Sequence, residues 1–192
     1  MSEEKGKGND QDDPNPESSE MKEETDSVTF QVEGEEINLK RSTILSDQVE
    51  ILLPESFDVM DEEQAKLKYP GERRPTLIYT NENATVNIAF NHTENKASNK
   101  QMEEVLKGMV ETFENMYPSA EWLNKEVYEI HGKNVASMEL ITPAMDTEIY
   151  NFMFMMELDG KLLLATVNST KEQMEDWQPI AKEMMKSINM VD

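Results

Sequence analysis

The segment Thr147–Leu158 constrains the fold most, because both of its faces are apolar if it forms a β-strand. One face carries Tyr150, Phe152, Phe154, Met156 and Leu158, and the other carries Ile149, Met153 and Met155. Side chains alternate between the two faces of a strand, so neither face can be left to water. We therefore expect a central strand that is covered on both sides.

Glycine turns place this segment in a series of antiparallel strands. The pairs His131-Gly132 and Asp159-Gly160 fit two-residue hairpin turns, which need positive φ angles. They predict two hairpins, Glu126–Ile130 with Lys133–Thr142 and Thr147–Leu158 with Lys161–Asn168. Upstream, alternating residues predict a hairpin within residues 28–39, a strand at Val49–Leu53 and a hairpin of Thr76–Thr80 with Ala84–Asn91.

Two segments before the long strands have helical patterns. The clearer one runs from Ser98 to Tyr117, with apolar residues at three- and four-residue steps. Its stripe consists of Met102, Val105, Leu106, Met109, Val110, Phe113, Met116 and Tyr117. We expect Phe113 in the core. A shorter helix is predicted at Glu62–Lys68, where Asp61 and Gln64 fit a capping box.

The chain ends in a third helical pattern. Thr170 and Gln173 fit a second capping box, and apolar residues continue to Ile188. Pro179 conflicts with an unbroken helix, because it lacks an amide hydrogen and crowds the preceding turn. We expect a short first turn near Lys171–Glu175, a kink or restart at the proline, and helix to about Ile188.

Runs of strands separated by helices indicate an α+β fold, with an antiparallel sheet and packed amphipathic helices. Residues 1–26 differ from the rest, since ten acidic residues and three lysines give them a net charge of −7. Their only apolar side chains are Met1 and Met21, too few to offset the entropy of ordering. We predict a disordered acidic tail at 1–26 and one α+β domain at 27–192.

The net charge of −22 argues against several partners. Nucleic acids and anionic membranes both need clustered cations on the protein. No run approaches 18 apolar residues and the first residues lack the apolar core of a signal peptide, so we expect a cytoplasmic protein. The absence of cysteine excludes disulfides, thiolate metal sites and a cysteine nucleophile.

The sequence contains no recognisable catalytic, cofactor or metal motif. Neither of its two histidines, His92 and His131, has a second ligand at a metal-binding spacing. Acidic residues are numerous, but they fall on helix faces that point to water, and the glycines form no phosphate-binding loop. These observations predict no cofactor and no metal, and they favour a protein that is not an enzyme.

The pair Arg73-Arg74 stands out in such an acidic chain. One interpretation is that these arginines form ion pairs with Glu72 or with acidic residues across the sheet. The other is a site for a small anion or a carboxylate, which guanidinium groups bind with two hydrogen bonds. A hairpin in this region would bring Asn91 and His92 to the same end. We therefore predict a candidate interaction or anion surface at Arg73, Arg74, Asn91 and His92.

The fifteen methionines allow two interpretations. Methionine fills irregular cores, and it also makes adaptable binding surfaces. Core packing is the favoured interpretation. The alternative is an exposed patch that contains Met153, Met155, Met184, Met185 and Met190.

Four segments carry a resemblance to a known superfamily. They are YPGERRP (69–75), AFNHT (89–93), DTEIYN (146–151) and WQPIA (177–181). With the order of predicted elements, they resemble the superfamily of the PsbP extrinsic subunit of photosystem II and the Mog nuclear-import factor, which binds the Ran GTPase. The resemblance is closest to small uncharacterised bacterial members and covers residues 50–188. It implies an α/β/α sandwich and a binding or assembly role, and no functional residue of the superfamily matches here.

Two hypotheses follow for the function. The first is a non-catalytic adaptor or assembly factor that binds another protein through the sheet or its loops. The second is a small-anion-binding or enzymatic domain centred on Arg73, Arg74, Asn91 and His92. The missing catalytic residues, the methionine content and the resemblance favour the first.

We predict that the acidic tail contributes nothing to folding, because it has almost no apolar surface to bury. Deleting residues 1–26 should shift the thermal midpoint by less than about 2 °C, as measured by circular dichroism. A larger loss would show that the tail packs on the domain.

Overall fold

The computed structural model describes residues 27–71 and 74–191, and these form eleven strands and three α-helices. The strands are β1 Ser27–Val32, β2 Glu35–Ile44, β3 Val49–Pro54, β4 Asp58–Val59, β5 Leu77–Thr80, β6 Asn87–Lys96, β7 Glu121–Ile130, β8 Lys133–Pro143, β9 Glu148–Leu158, β10 Lys161–Thr170 and β11 Asn189–Met190. The helices are α1 Glu62–Lys68, α2 Met102–Met116 and α3 Met174–Ser187. No helix within the described ranges is long and apolar enough to cross a membrane. The predicted tail lies outside the described residues.

The strands form two antiparallel sheets. One has the order β1-β2-β3-β11, and the other has the order β4-β5-β6-β10-β9-β8-β7. The predicted α+β class is confirmed. Pairing of β10 with β6 and of β11 with β3 joins segments that are distant in the sequence.

Three hairpins turn through two residues with positive φ. The φ angles are 51° and 87° at Glu33-Gly34, 47° and 76° at His131-Gly132, and 51° and 73° at Asp159-Gly160. Positive φ at both central residues defines the type I′ turn, whose twist matches that of the flanking strands. The two turns predicted at His131-Gly132 and Asp159-Gly160 are therefore confirmed, and His131 is exposed.

Strand β9 is buried on both faces, as its sequence predicts. On one face, Met153 and Met155 contact the apolar side of α2. On the other face, Phe152, Phe154 and their neighbours join the main core with α3 and the four-stranded sheet. The seven-stranded sheet between α2 and α3 gives the expected α/β/α sandwich. The four-stranded sheet, which packs on α3, is a further layer that the sequence did not predict.

Helix α2 covers its side of the sheet only partly. A 3-10 turn at Asn99–Gln101 precedes it, so the helical region agrees with the predicted Ser98–Tyr117. Met102 is buried, but Phe113 is only half-buried and Met116 is 60% exposed. Phe113 thus packs on the buried cluster of Met138, Leu140 and Met153, as expected, but it is only partly buried, because no other described element covers α2.

Two strand boundaries differ from prediction for identifiable reasons. Strand β6 begins at Asn87, three residues late, because the Asn81 side chain accepts hydrogen bonds from the backbone of Thr85 and Val86 and holds them in the turn. Strand β7 begins at Glu121, five residues before its predicted start at Glu126. The prediction missed these five residues because a bulge after Trp122 interrupts the alternation of side chains.

The two predicted capping boxes have different outcomes. At the start of α1, Asp61 accepts a 2.8 Å hydrogen bond from the Gln64 amide, as predicted. Thr170 instead donates to the Gln173 side chain at 3.2 Å, and neither caps the backbone. A 3-10 turn at Lys171–Gln173 leads into α3, which continues through Pro179 without a restart. Pro179 is exposed, so the carbonyl that loses its partner can bond to water.

The proposed methionine surface is wrong and the core interpretation is right. Met153, Met155, Met184 and Met185 are at most 5% exposed, and Met190 packs partly buried against the main core, which contains Met184 and Met185. Among the described methionines, only Met116 and Met145 rank as large exposed side chains.

We predict that Phe154 and Phe113 differ in their contribution to stability. Phe154 is 1% exposed in the main core, and its replacement by alanine should cost about 3–5 kcal/mol. Phe113→Ala should cost only about 1–2 kcal/mol, because water already reaches part of its ring. Urea unfolding of both variants checks this, and equal costs would mean that α2 is covered in solution.

Candidate functional site

The start of β5 and the middle of β6 lie side by side. Leu77 pairs with Phe90, which sets Thr76 opposite Asn91, and their side-chain oxygens are 3.5 Å apart. This is the hairpin end at which the sequence places its candidate surface. Arg73 lies outside the described residues, so only Arg74, Asn91 and His92 can be located.

Asn91 and His92 project from opposite faces of β6. Ala89 packs with α1 residues, and alternation puts Asn91 on that face as well. His92 lies on the face of Phe90, and its Nε2 is 3.0 Å from the Leu158 carbonyl oxygen. Because that oxygen only accepts, Nε2 is the donor. His92 therefore joins β6 to the end of β9 and is separated from Asn91 by the sheet.

Arg74 lines an open groove on the α1 side, which we call the arginine groove. The groove has a volume of about 340 Å³. Its lining comprises Val59, Met60, Glu62, Ala65, Arg74, Pro75, Thr76, Leu77 and Ile78. Val59 is 58% exposed there. The groove thus offers an apolar surface with one arginine and one carboxylate at its rim.

Two cations, Lys66 and Arg74, lower the pKa of Glu62. A 2.7 Å ion pair with Lys66 is the main cause that lowers the pKa of Glu62, and the charge of Arg74 lowers this pKa further. Arg74 therefore lies within electrostatic reach of an acidic side chain in the groove.

The sequence analysis missed a buried polar cluster between β8, β9 and α3. Glu139 is fully buried, and its Oε2 accepts hydrogen bonds from the Tyr150 hydroxyl at 3.0 Å and from Gln178 at 2.6 Å. Nζ of Lys182 lies 3.1 Å from the other carboxylate oxygen. A single glutamate in the apolar run from Val135 to Ile141 is the signal that could have revealed it, but acidic residues are so common here that it did not stand out.

This cluster fixes α3 to the sheet rather than forming a reaction site. Burial, and then the charge of Glu139, raise the pKa of the Tyr150 hydroxyl, so it stays protonated and keeps donating. Glu139 has no exposed surface, whereas the Lys182 side chain is 38% exposed. A substrate in solution cannot reach this carboxylate.

Potential metal ligands do not cluster in the described part of the chain. Across residues 27–71 and 74–191, no group of three or more His, Asp or Glu side chains could hold a metal ion.

The comparisons with known proteins bear on the fold. No protein-family model matches the chain, and no curated protein matches it. The chain is similar in structure to cyanobacterial PsbP (CyanoP) from Synechocystis sp. PCC 6803, with a TM-score of 0.59, 14% identity, and coverage of 80% of this chain and 92% of that one. It is also similar to LpqN of Mycobacterium tuberculosis, a protein involved in cell envelope biogenesis, with a TM-score of 0.53, 9% identity, and coverage of 81% and 92%.

These similarities show that the chain has a PsbP-like fold. At such low identity they carry no function, because one fold supports many unrelated roles.

We predict an asymmetric response to breaking the buried ion pair. Lys182→Met leaves a buried carboxylate without its cation and should cost about 3 kcal/mol. Glu139→Gln removes the charge but can still accept from Tyr150 and Gln178, and should cost about 1 kcal/mol.

Urea unfolding of both single variants and of the double variant checks this. The double variant should be more stable than Lys182→Met alone, because it contains no unpaired buried charge. If Lys182→Met is as stable as the wild type, the ion pair does not form in solution.

Proposed function

We propose that this chain is a non-catalytic protein-binding module, an adaptor or assembly factor, and that the arginine groove is its binding surface. We further propose that the chain belongs to the PsbP/Mog-like superfamily and is cytoplasmic, which cell fractionation would check. The observation that carries the proposal is the composition of the groove, in which exposed Val59 and Arg74 line the same surface on an otherwise acidic protein.

The groove suits a segment of a partner protein better than a metabolite. It is open rather than enclosed, and its surface combines apolar side chains with a single guanidinium at the rim. Apolar contact supplies affinity, and one arginine orients a carboxylate of the partner. A net charge of −22 disfavours acidic partners elsewhere on the surface, so Arg74 provides selectivity for this position.

The anion-binding or enzymatic alternative is less well supported. It requires Arg73, Arg74, Asn91 and His92 to converge on one ligand. His92 is on the opposite face from Asn91 and donates to a backbone carbonyl. Glu62 also competes with an anion for Arg74.

An NMR titration of the full chain tests the proposal. Peptides that contain an aliphatic residue next to glutamate should shift the amides of Val59, Arg74 and Thr76, whereas inorganic phosphate should not. Arg74→Ala and Val59→Ser should each weaken peptide binding by about tenfold, since each removes one rim or floor contact.

Two exposed residues provide matched controls. Met145→Ser removes an apolar side chain that is 97% exposed in the loop between β8 and β9, and Lys107→Ala removes a cation from the exposed face of α2. Neither should change binding. Shifts caused by phosphate alone would favour the anion alternative, and no shift with any peptide would contradict the proposal.

A further inference from the structure

Strand β1 is an open edge of the four-stranded sheet. All six of its residues pair with β2, and among the described residues no other strand pairs with it. An edge strand presents backbone N–H and C=O groups that a further strand can use. This surface is separate from the arginine groove.

The other three sheet edges are protected, and β1 is not. Strands β4 and β11 have only two residues each. Strand β7 is long, but it has a bulge after Trp122 and four charged residues. Strand β1 has the sequence SVTFQV, with no charge and no proline, and its register with β2 is unbroken. Charges, bulges and short length are the usual means of protecting an edge, and β1 has none of them.

The turn that follows β1 shows which residues face outward. Val32 and Glu35 flank the two-residue turn, so they form a hydrogen-bonded pair, and such pairs alternate along the strand. Val28, Phe30 and Val32 therefore bond to β2. Thr29 and Gln31 direct their backbone groups away from it.

Acidic residues follow β1 closely in the sequence, at Glu33, Glu35 and Glu36. A second copy of the chain would bring the same acidic residues and the same net charge of −22 to this edge. Like charges repel, so a second copy is a poor occupant.

A cleft at the end of β1 has the same charge. It has a volume of about 390 Å³, and its lining includes Glu33, Glu35 and Glu82 but no lysine or arginine. The rings of Phe57 and Trp177, 5.3 Å apart, form its inner wall. An added antiparallel strand would place its first residues here.

We propose that β1 binds an extended segment of a partner protein as an added antiparallel strand, and that this segment begins with basic residues and is otherwise uncharged. Backbone hydrogen bonds to Thr29 and Gln31 supply the strand pairing. A lysine or arginine at the start of the segment reaches the acidic cleft.

Titrations of the full chain with a designed peptide test this proposal. The peptide begins with Lys-Arg and continues with six alternating valines and threonines. It should shift the amides of residues 27–32, and 0.5 M NaCl should weaken its binding, because salt screens the charges at its start. The same peptide with Glu-Glu in place of Lys-Arg should bind at least about tenfold more weakly.

A pair of variants at one position separates backbone pairing from side-chain effects. Gln31→Pro removes an outward N–H without touching the bonds to β2, and Gln31→Ala keeps that N–H. Both lose the same side-chain contact with Glu36. Gln31→Pro should weaken binding of the basic peptide by about tenfold, and Gln31→Ala by less than about threefold.

A charge reversal provides a test that does not depend on the proline variant folding. Glu35 and Glu82 are both exposed, so Glu35→Lys with Glu82→Lys should leave the fold intact and shift preference from the basic to the acidic peptide. The proposal is overturned if the basic peptide leaves the amides of residues 27–32 unmoved, if folded Gln31→Pro binds it like Gln31→Ala, or if the reversal leaves the preference unchanged. Light scattering that shows a dimer undissociated by the peptide would overturn it as well. Failure here leaves the amides of the arginine groove as a separate test of the proposed function.

Discussion

The two apolar faces of β9 impose the layered structure on the rest of the chain. A strand that is buried on both sides needs a covering layer on each, and the chain provides α2 on one side and α3 with the four-stranded sheet on the other. The two covers differ in completeness. The side of Phe152 and Phe154 is sealed, whereas several α2 residues opposite Met153 remain half-buried. The stability of the domain therefore depends more on the α3 side.

Within that sealed side, Glu139 limits how α3 can pack. An apolar interface alone allows a helix to shift or rotate at little cost, because dispersion and apolar burial have no direction. A buried carboxylate has direction, since it must keep the donors Tyr150 and Gln178 at hydrogen-bonding distance and the ammonium group of Lys182 as its ion-pair partner. Gln178 and Lys182 both come from α3, one turn apart. The cluster thus fixes the register of the helix on the sheet. A buried ion pair adds little to the free energy of unfolding, so its main effect here is to position α3.

The sequence predicts those features of the fold that have local causes. Strand β9, the type I′ turns at His131 and Asp159 and the stripe of α2 all arise from neighbouring residues. The pairing of β10 with β6 and the division into two sheets depend on contacts between distant segments, which no local pattern encodes. The candidate site shows the same division. The hairpin register that sets Thr76 beside Asn91 follows from a predicted turn, but alternation places His92 on the other face, and the partner of His92 lies on a distant strand.

The acidic charge of the chain has a structural role at the sheet edges as well as an effect on solubility. Protection by charge normally lies within an edge strand, as the charged residues of β7 do. In β1, Phe30 and its apolar neighbours pack on the main core, which leaves few positions for charge. Acidic residues stand instead just after Val32, at the end of the strand. They repel an identical acidic strand yet leave the backbone of β1 accessible. Such an edge discriminates by the charge of the approaching segment, whereas a bulge or a proline would exclude every segment alike.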